Sequence, residues 1–216
     1  MKKLMTVLMV ALLPICMEVQ AQGLFSKKEF QGRKQRSEYM RGAVQEENGM
    51  VVFRQTWNQN APSYTVDRVF KTLRSWADLR YTPNTQQGQW NDADYFKNFD
   101  FAQVNTPDNH TIVCTADEEL VFTNKTLARD ATRVTYKLTI NITPEHIEAI
   151  VSNIIYTYNL TEHAERILAE DWITDREAFN KKGNLIRGSA KFRIKTIDTV
   201  EELFKEIGEK IAMPIN

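Results

Sequence analysis

Three histidines, two cysteines and a scatter of carboxylates are the side chains of this chain that could carry nucleophilic, acid–base or metal chemistry. His110 and Cys114 come nearest to a nucleophile with its base, because even spacing puts both on one face of a strand. Four strand residues span roughly 13 Å, whereas a nucleophile needs its base within about 3 Å, so the two are not direct neighbours. Flanked by Ile112, Val113 and Ala116, Cys114 reads as an inert core thiol. His146 with Glu148, and Glu162 with His163 and Glu165, lack the His-Glu-x-x-His or paired-cysteine spacing of a metal site. Ser189 sits in Gly188-Ser189-Ala190, without the glycine-flanked elbow of a hydrolase serine. Glu170-Asp171 and Glu201-Glu202 are sequence neighbours that diverge on a helix. The sequence therefore points to no catalytic residue, no metal and no cofactor.

A different chemistry is offered between Thr82 and Asn109, where Gln, Asn, Asp and Thr dominate and Trp90, Tyr95, Phe96 and Phe99 punctuate. Aromatic rings in a polar loop can stack on sugars or peptides; the alternative is that they pin an irregular segment to the core. These four, with Trp172 as a second aromatic contact, are the expected ligand-binding residues.

The elements that must position them are legible from periodicity. Val51, Val52, Phe53, Thr56 and Trp57 predict a strand after a turn at Asn48-Gly49. Val66, Val69, Phe70, Leu73, Trp76 and Ala77 predict a helix behind Ser63 or Thr65 as cap. From His110 to Thr123 the pattern fits one bent strand or a hairpin about Asp117-Glu118. Thr132 to Ile142 alternates cleanly, and Thr143-Pro144-Glu145-His146 turns it into a partner strand from Ile147 to Tyr158. That strand's phase breaks at Ile154-Ile155, which predicts a bulge or burial of both faces. A mixed stretch to about Phe179 is expected to be helical. The last helix is expected from Asp198, paired with Glu201 as a capping box and carrying Val200, Leu203, Phe204, Ile207 and Ile211 inward.

At the N-terminus, Lys2 and Lys3 precede an apolar run from Leu4 to Met17, and Val19-x-Ala21 offers small residues for cleavage. The run is shorter than the roughly 20 residues that span a bilayer, so residues 1–21 are expected to be a secretory signal peptide. Cys16 follows Pro14 and Ile15, a poor context for lipid attachment. Residues 22–48 form a basic lead-in, read as a tether or loosely packed helix from Ser26 to Arg41, and residues 49–216 a single α+β domain. Charge is balanced, 28 Lys and Arg against 28 Asp and Glu, which argues against a general polyanion binder such as a nucleic-acid protein. After cleavage the chain would keep one cysteine, no possible internal disulfide and no transmembrane span, leaving periplasm, cell surface or medium as destinations.

Several stretches together carry a resemblance: Gly49-Met50-Val51-Val52-Phe53, Tyr136-Lys137-Leu138-Thr139-Ile140 with Ile154-Ile155-Tyr156, Asp171-Trp172-Ile173-Thr174-Asp175, and Lys191-Phe192-Arg193 leading into Thr196-Ile197-Asp198. Over most of residues 49 to 210 the chain resembles an exported Bacteroidetes domain of unknown function with a TATA-binding-protein-like fold. The resemblance implies a curved antiparallel sheet packed by helices on one face, an α+β class that agrees with the periodicity. It implies no DNA binding and carries over no catalytic residue. The expected function is non-enzymatic binding of an envelope ligand or protein; the alternatives are an envelope-acting hydrolase built around His146 or His163 and a structural assembly subunit.

Overall fold

The structure, a computed structural model, describes residues 36–58, 65–81, 102–125, 128–158 and 165–212. Asn48 and Gly49 both take positive φ, 52° and 78°, the pair of left-handed residues that a two-residue hairpin turn demands. They join β1 (Gln45–Glu47) to β2 (Met50–Asn58), the strand expected from its β-branched run. β1 carries no alternation, being Gln-Glu-Glu and exposed throughout, so only its pairing with β2 defines it.

Helix α1 (Val66–Tyr81) begins where Thr65 Oγ1 accepts the Arg68 N–H at 3.3 Å. It buries Val69, Leu73, Trp76, Ala77 and Tyr81, the stripe that the spacing predicts, carried one turn further. After β3 (Gln103–Asn105) come three long strands, β4 (Thr111–Lys125), β5 (Ala128–Ile142) and β6 (His146–Tyr158). β4 is one strand through Asp117-Glu118, with its irregularity further on, between Val121 and Thr123. The antiparallel sheet runs β1-β2-β6-β5-β4-β3, and β7 (Glu165–Leu168) pairs with the end of β6 that β2 leaves uncovered. Alternate residues of β4, β5 and β6, among them Ile112, Cys114, Leu138, Ile140, Ile147 and Ala149, point to one face and are buried there. α1 and α3 (Arg187–Ala212) cover that face, giving the expected α+β sheet with helices on one side. Gly208 sits within α3 where a Cβ would stand 3.0 Å from the Trp57 indole nitrogen, closer than ordinary contact. Among the described residues no helix is long and apolar enough to cross a membrane.

Three expectations are corrected. The stretch to Phe179 is not a helix but β7, a 3₁₀ turn at Ala169–Asp171 and a single helical turn, α2 (Asp175–Ala178). β6's uncovered edge takes Glu165–Leu168 as a strand, a tertiary demand invisible in local periodicity. The last helix starts eleven residues earlier than Asp198, at Arg187, and Asp198 is no cap: its carboxylate accepts the Tyr39 hydroxyl at 2.6 Å. Finally, the end of the lead-in is docked rather than loose. Ser37–Tyr39 forms a 3₁₀ turn, and Tyr39 and Val44 are buried in the core.

Candidate functional site

Arg193 is the residue that builds the site. It lies on the inner face of α3 between Ala190 and Ile197, fully buried, where a guanidinium is costly without partners. Nε donates to the Tyr39 carbonyl at 2.8 Å, Nη1 to the Ile173 carbonyl at 2.5 Å, and Nη2 to the Met40 carbonyl at 2.6 Å and to Asp175 Oδ1 at 2.7 Å. The other Asp175 oxygen accepts the Gly42 N–H at 2.6 Å. Gly42, at φ 86°, supplies the left-handed turn that lets the chain bend back toward β1. One guanidinium and one carboxylate thus fasten residues 39–42 as a strap across the end of the domain.

Beneath the strap lies a cleft of about 490 Å³. Val52 and Phe53 of β2 and Ile197, Val200 and Phe204 of α3 form its apolar walls, and Ala43 and Gln45 its strap side. The rim carries Glu38, Arg41, Arg54 and Glu201. The two cations are engaged elsewhere: Arg54 with Glu148 at 2.7 Å and Glu47 at 3.0 Å, and Arg41 over the Phe179 ring at 4.8 Å. Burial, then the neighbouring Asp198 and Glu38 carboxylates, hold the Glu201 carboxyl above its usual range. Among the described residues no hydrogen bond or ion pair engages that carboxylate. Apolar walls with charged groups at the rim can hold a ligand.

A second polar cluster lies on the helix side of the sheet. Tyr81 and Tyr136 share a hydrogen bond at 3.2 Å, Tyr136 donates to Glu118 Oε1 at 3.1 Å, and Arg80 donates to the same oxygen at 3.1 Å. Arg80 reaches on to Glu206, which also takes the Trp76 indole N–H at 3.4 Å. Burial raises both tyrosines, so they stay protonated donors, and burial also raises Glu118 against the opposing pull of Arg80 and Tyr136. A carboxyl raised in the folded state contributes stability that is full below the ordinary Glu value and is lost as pH rises through the raised one. Glu118→Gln should therefore flatten the decline in stability as pH rises above the ordinary Glu value. Denaturant midpoints of both proteins from that value upward check it; parallel profiles would show that the buried carboxyl is not the source.

The expected site residues fare unequally. Trp90, Tyr95, Phe96 and Phe99 lie outside the described residues. Trp172 is half-buried and packs edge-on against Phe192 at 6.0 Å, within a cluster that includes Phe122, Tyr156 and Tyr158. Lys191 threads into these rings, 4.4 Å from the Tyr158 centroid, and its ammonium meets Asp130 at 2.7 Å. The cluster's cation position is thus filled by the chain's own lysine. His146 faces the Thr143 hydroxyl at 3.2 Å, and Glu148 is held by Arg54. Among the described residues no three His, Cys, Asp or Glu side chains group as metal ligands. Burial pushes the Cys114 thiol up to about 12, and the side chain is wholly enclosed.

Sequence reasoning missed the strap and Arg193. The available signal was a cation at a core position: the apolar stripe of Val200 and Leu203 extends backward through Ile197, Ile194 and Ala190, with Arg193 inside it.

The face of the sheet away from the helices interleaves its charges, Arg133 paired with Asp117 and Arg54 with Glu148. The sheet's strand order and one-sided helices are those of the TATA-binding-protein-like α+β class. The family model described as domain of unknown function (DUF4468) with TBP-like fold matches residues 56–157. A DUF4468 family protein from Bacteroides ovatus ATCC 8483 is 30% identical, with a TM-score of 0.67 over 82% of this chain and 95% of its own. The chain belongs to this family. A TBP-like protein from Parabacteroides distasonis ATCC 8503 shares the fold at 24% identity, with a TM-score of 0.58 over 77% of this chain and 95% of its own. No curated protein matches the sequence.

Proposed function

We propose that this is an exported, non-catalytic domain of the cell envelope that binds a ligand or protein partner in the cleft between the strap, β2 and α3. The observation that carries the reading is the cleft itself: about 490 Å³, apolar-walled, with the Glu201 carboxylate at its rim. The apolar wall of Val52, Phe53, Ile197, Val200 and Phe204 is matched by polar groups of similar extent, so the cleft offers a ligand both burial and groups that fix orientation. Export is supported by Lys2, Lys3, the apolar run to Met17 and Val19-x-Ala21, and it assigns the mature protein to periplasm, cell surface or medium. Trp90, Tyr95, Phe96 and Phe99 are proposed as a second contact region on the same partner. A hydrolase would need His146 or His163 beside a carboxylate. His146 has Thr143 at its ring instead, which favours binding over catalysis.

Two measurements test this. Protein recovered from the native envelope should begin at Gln22, and an intact Met1 in the cytoplasmic fraction would sink export. Thermal unfolding against envelope glycans and peptides should give a rise of about 5–10 °C for a ligand at a hundred times its dissociation constant. Glu201→Lys should abolish that rise; a rise that survives it would move the site away from the cleft.

A further inference from the structure

The cleft is bounded on one side by an open sheet edge. β1 covers β2 only from Met50 to Val52, and among the described residues no strand pairs with β2 on that side beyond Val52. Backbone groups alternate sides along a strand. The Val51 N–H turns toward the β6 side, where Glu170 Oε1 accepts it at 2.8 Å. Two and four residues on, Phe53 and Gln55 keep that side and pair with β6, so the N–H and C=O groups of Arg54 and Thr56 project from the open edge. Among the described residues the Thr56 carbonyl there accepts a side-chain hydrogen bond only from its neighbour, the Gln55 amide, at 3.2 Å.

Resting on the binding reading above, we propose that the cleft takes an extended peptide segment of a protein partner, added to β2 as a strand in line with β1. A strand in that position alternates its side chains between the helix side and the open side of the sheet. Helix-side positions two apart reach first the apolar walls at Phe53, Val200 and Phe204 and then the rim at Glu38 and Glu201. The segment therefore carries an apolar residue and a lysine or arginine two positions apart. Charge sets this choice. Arg41 and Arg54 are turned to other partners, Glu38 faces Arg36 at 3.5 Å, and Asp198 takes the Tyr39 hydroxyl. The Glu201 carboxylate, near both of these acids, has no hydrogen bond or ion pair among the described residues. A cation placed beside it relieves like-charge repulsion, whereas an acidic segment adds to that repulsion. A glycan could fill the apolar walls but has no use for the β2 edge amides in register.

The test is a binding titration of the full chain with a labelled peptide of about six residues, in which threonine alternates with valine and lysine. Valine and lysine then share one face. Three comparison probes are the same peptide with glutamate for lysine, the same peptide N-methylated at alternate amides, and an envelope glycan. The proposal expects saturable binding that weakens at least about tenfold with glutamate, with N-methylation, and in Glu201→Gln. Equal binding of the N-methylated peptide would overturn strand addition, and equal binding of the glutamate peptide would overturn the charge argument. If a glycan binds in a Glu201-dependent way and the peptide does not, the peptide proposal fails while the cleft's binding role stands. If nothing binds, both fall.

Discussion

Arg193→Met should be the most destabilising single substitution at the site, costing about 3–5 kcal/mol. The guanidinium is wholly buried and donates to three carbonyls and one carboxylate, on two stretches of chain, residues 39–40 and 173–175, that are distant in sequence. Methionine fills similar volume but leaves the carbonyls of Tyr39, Met40 and Ile173 without their donor, each at the price of an unmet buried acceptor. For a chain of this length the loss corresponds to a fall in melting temperature of about 10 °C. Burial pulls the Arg193 pKa below its ordinary value and Asp175 pulls it back, but a guanidinium stays charged across the physiological range, so the loss should not depend on pH there. Arg193→Lys should recover only a minor part, because one ammonium cannot serve acceptors arranged around a planar fork. Thermal unfolding of the two variants checks this, with limited proteolysis near Gly42 as the local readout. Melting within a degree or two of the parent would mean that the strap is held by something other than this cation.

The strap also shows why part of the fold was legible and part was not. Strands β2, β5 and β6 and helix α1 each bury one face against a single layer, so their apolar residues recur at the period of the element and the sequence announces them. β1 and β7 have no such face. Gln45–Glu47 is wholly exposed and Glu165–Leu168 nearly so, and both are strands only because a neighbouring edge lacks a partner. α3 was legible in its second half, where Val200, Leu203 and Ile207 are aliphatic. It was illegible in its first half, where Lys191, Arg193 and Lys195 conceal the stripe of Phe192, Ile194 and Ile197. Buried cations break a hydrophobic pattern even as they occupy it. The cleft was invisible for a related reason: it joins three segments, about residue 40, about residue 53 and about residue 200, that share no local motif. Trp172 was visible as an aromatic, but whether a ring packs or presents itself depends on what lies behind it, here Phe192 and Gly188.

Replacing Asn153 by valine should destabilise the domain by about 1–2 kcal/mol, where glycine should be nearly silent and deletion should keep the inward residues of β6 inward. Asn153 sits in β6 at φ 53°, between Ser152, which pairs with Lys137, and Ile155, which pairs with Thr135. Asn153 and Ile154 together stand opposite the single residue Tyr136, a bulge that inserts one residue and switches the strand's phase. Before it the odd positions Ile147, Ala149 and Val151 face the helices, and after it the even positions Ile154 and Tyr156 do. Were the strand to run regularly through Asn153, Ile154 and Tyr156 would turn outward and Ile155 and Thr157 inward; deleting Asn153 instead puts Ile154 next after Ser152 and opposite Tyr136, so Ile154 and Tyr156 stay inward. Tyr156 is fully buried, bonds Thr196 on α3 at 2.6 Å and meets Phe192 edge-on at 5.0 Å, so an outward turn would detach the sheet from the first half of that helix. Exposing these two side chains alone costs about 3–6 kcal/mol, a large part of a typical domain's total stability. Asn153→Gly keeps the left-handed backbone at little cost, while Asn153→Val forces a β-branched residue into it at about 1–2 kcal/mol. Denaturant midpoints should therefore place glycine beside asparagine and valine below both, with the deletion still unfolding cooperatively because its inward residues are unchanged. A deletion that loses the cooperative transition would mean that the bulge supplies more than the switch of phase.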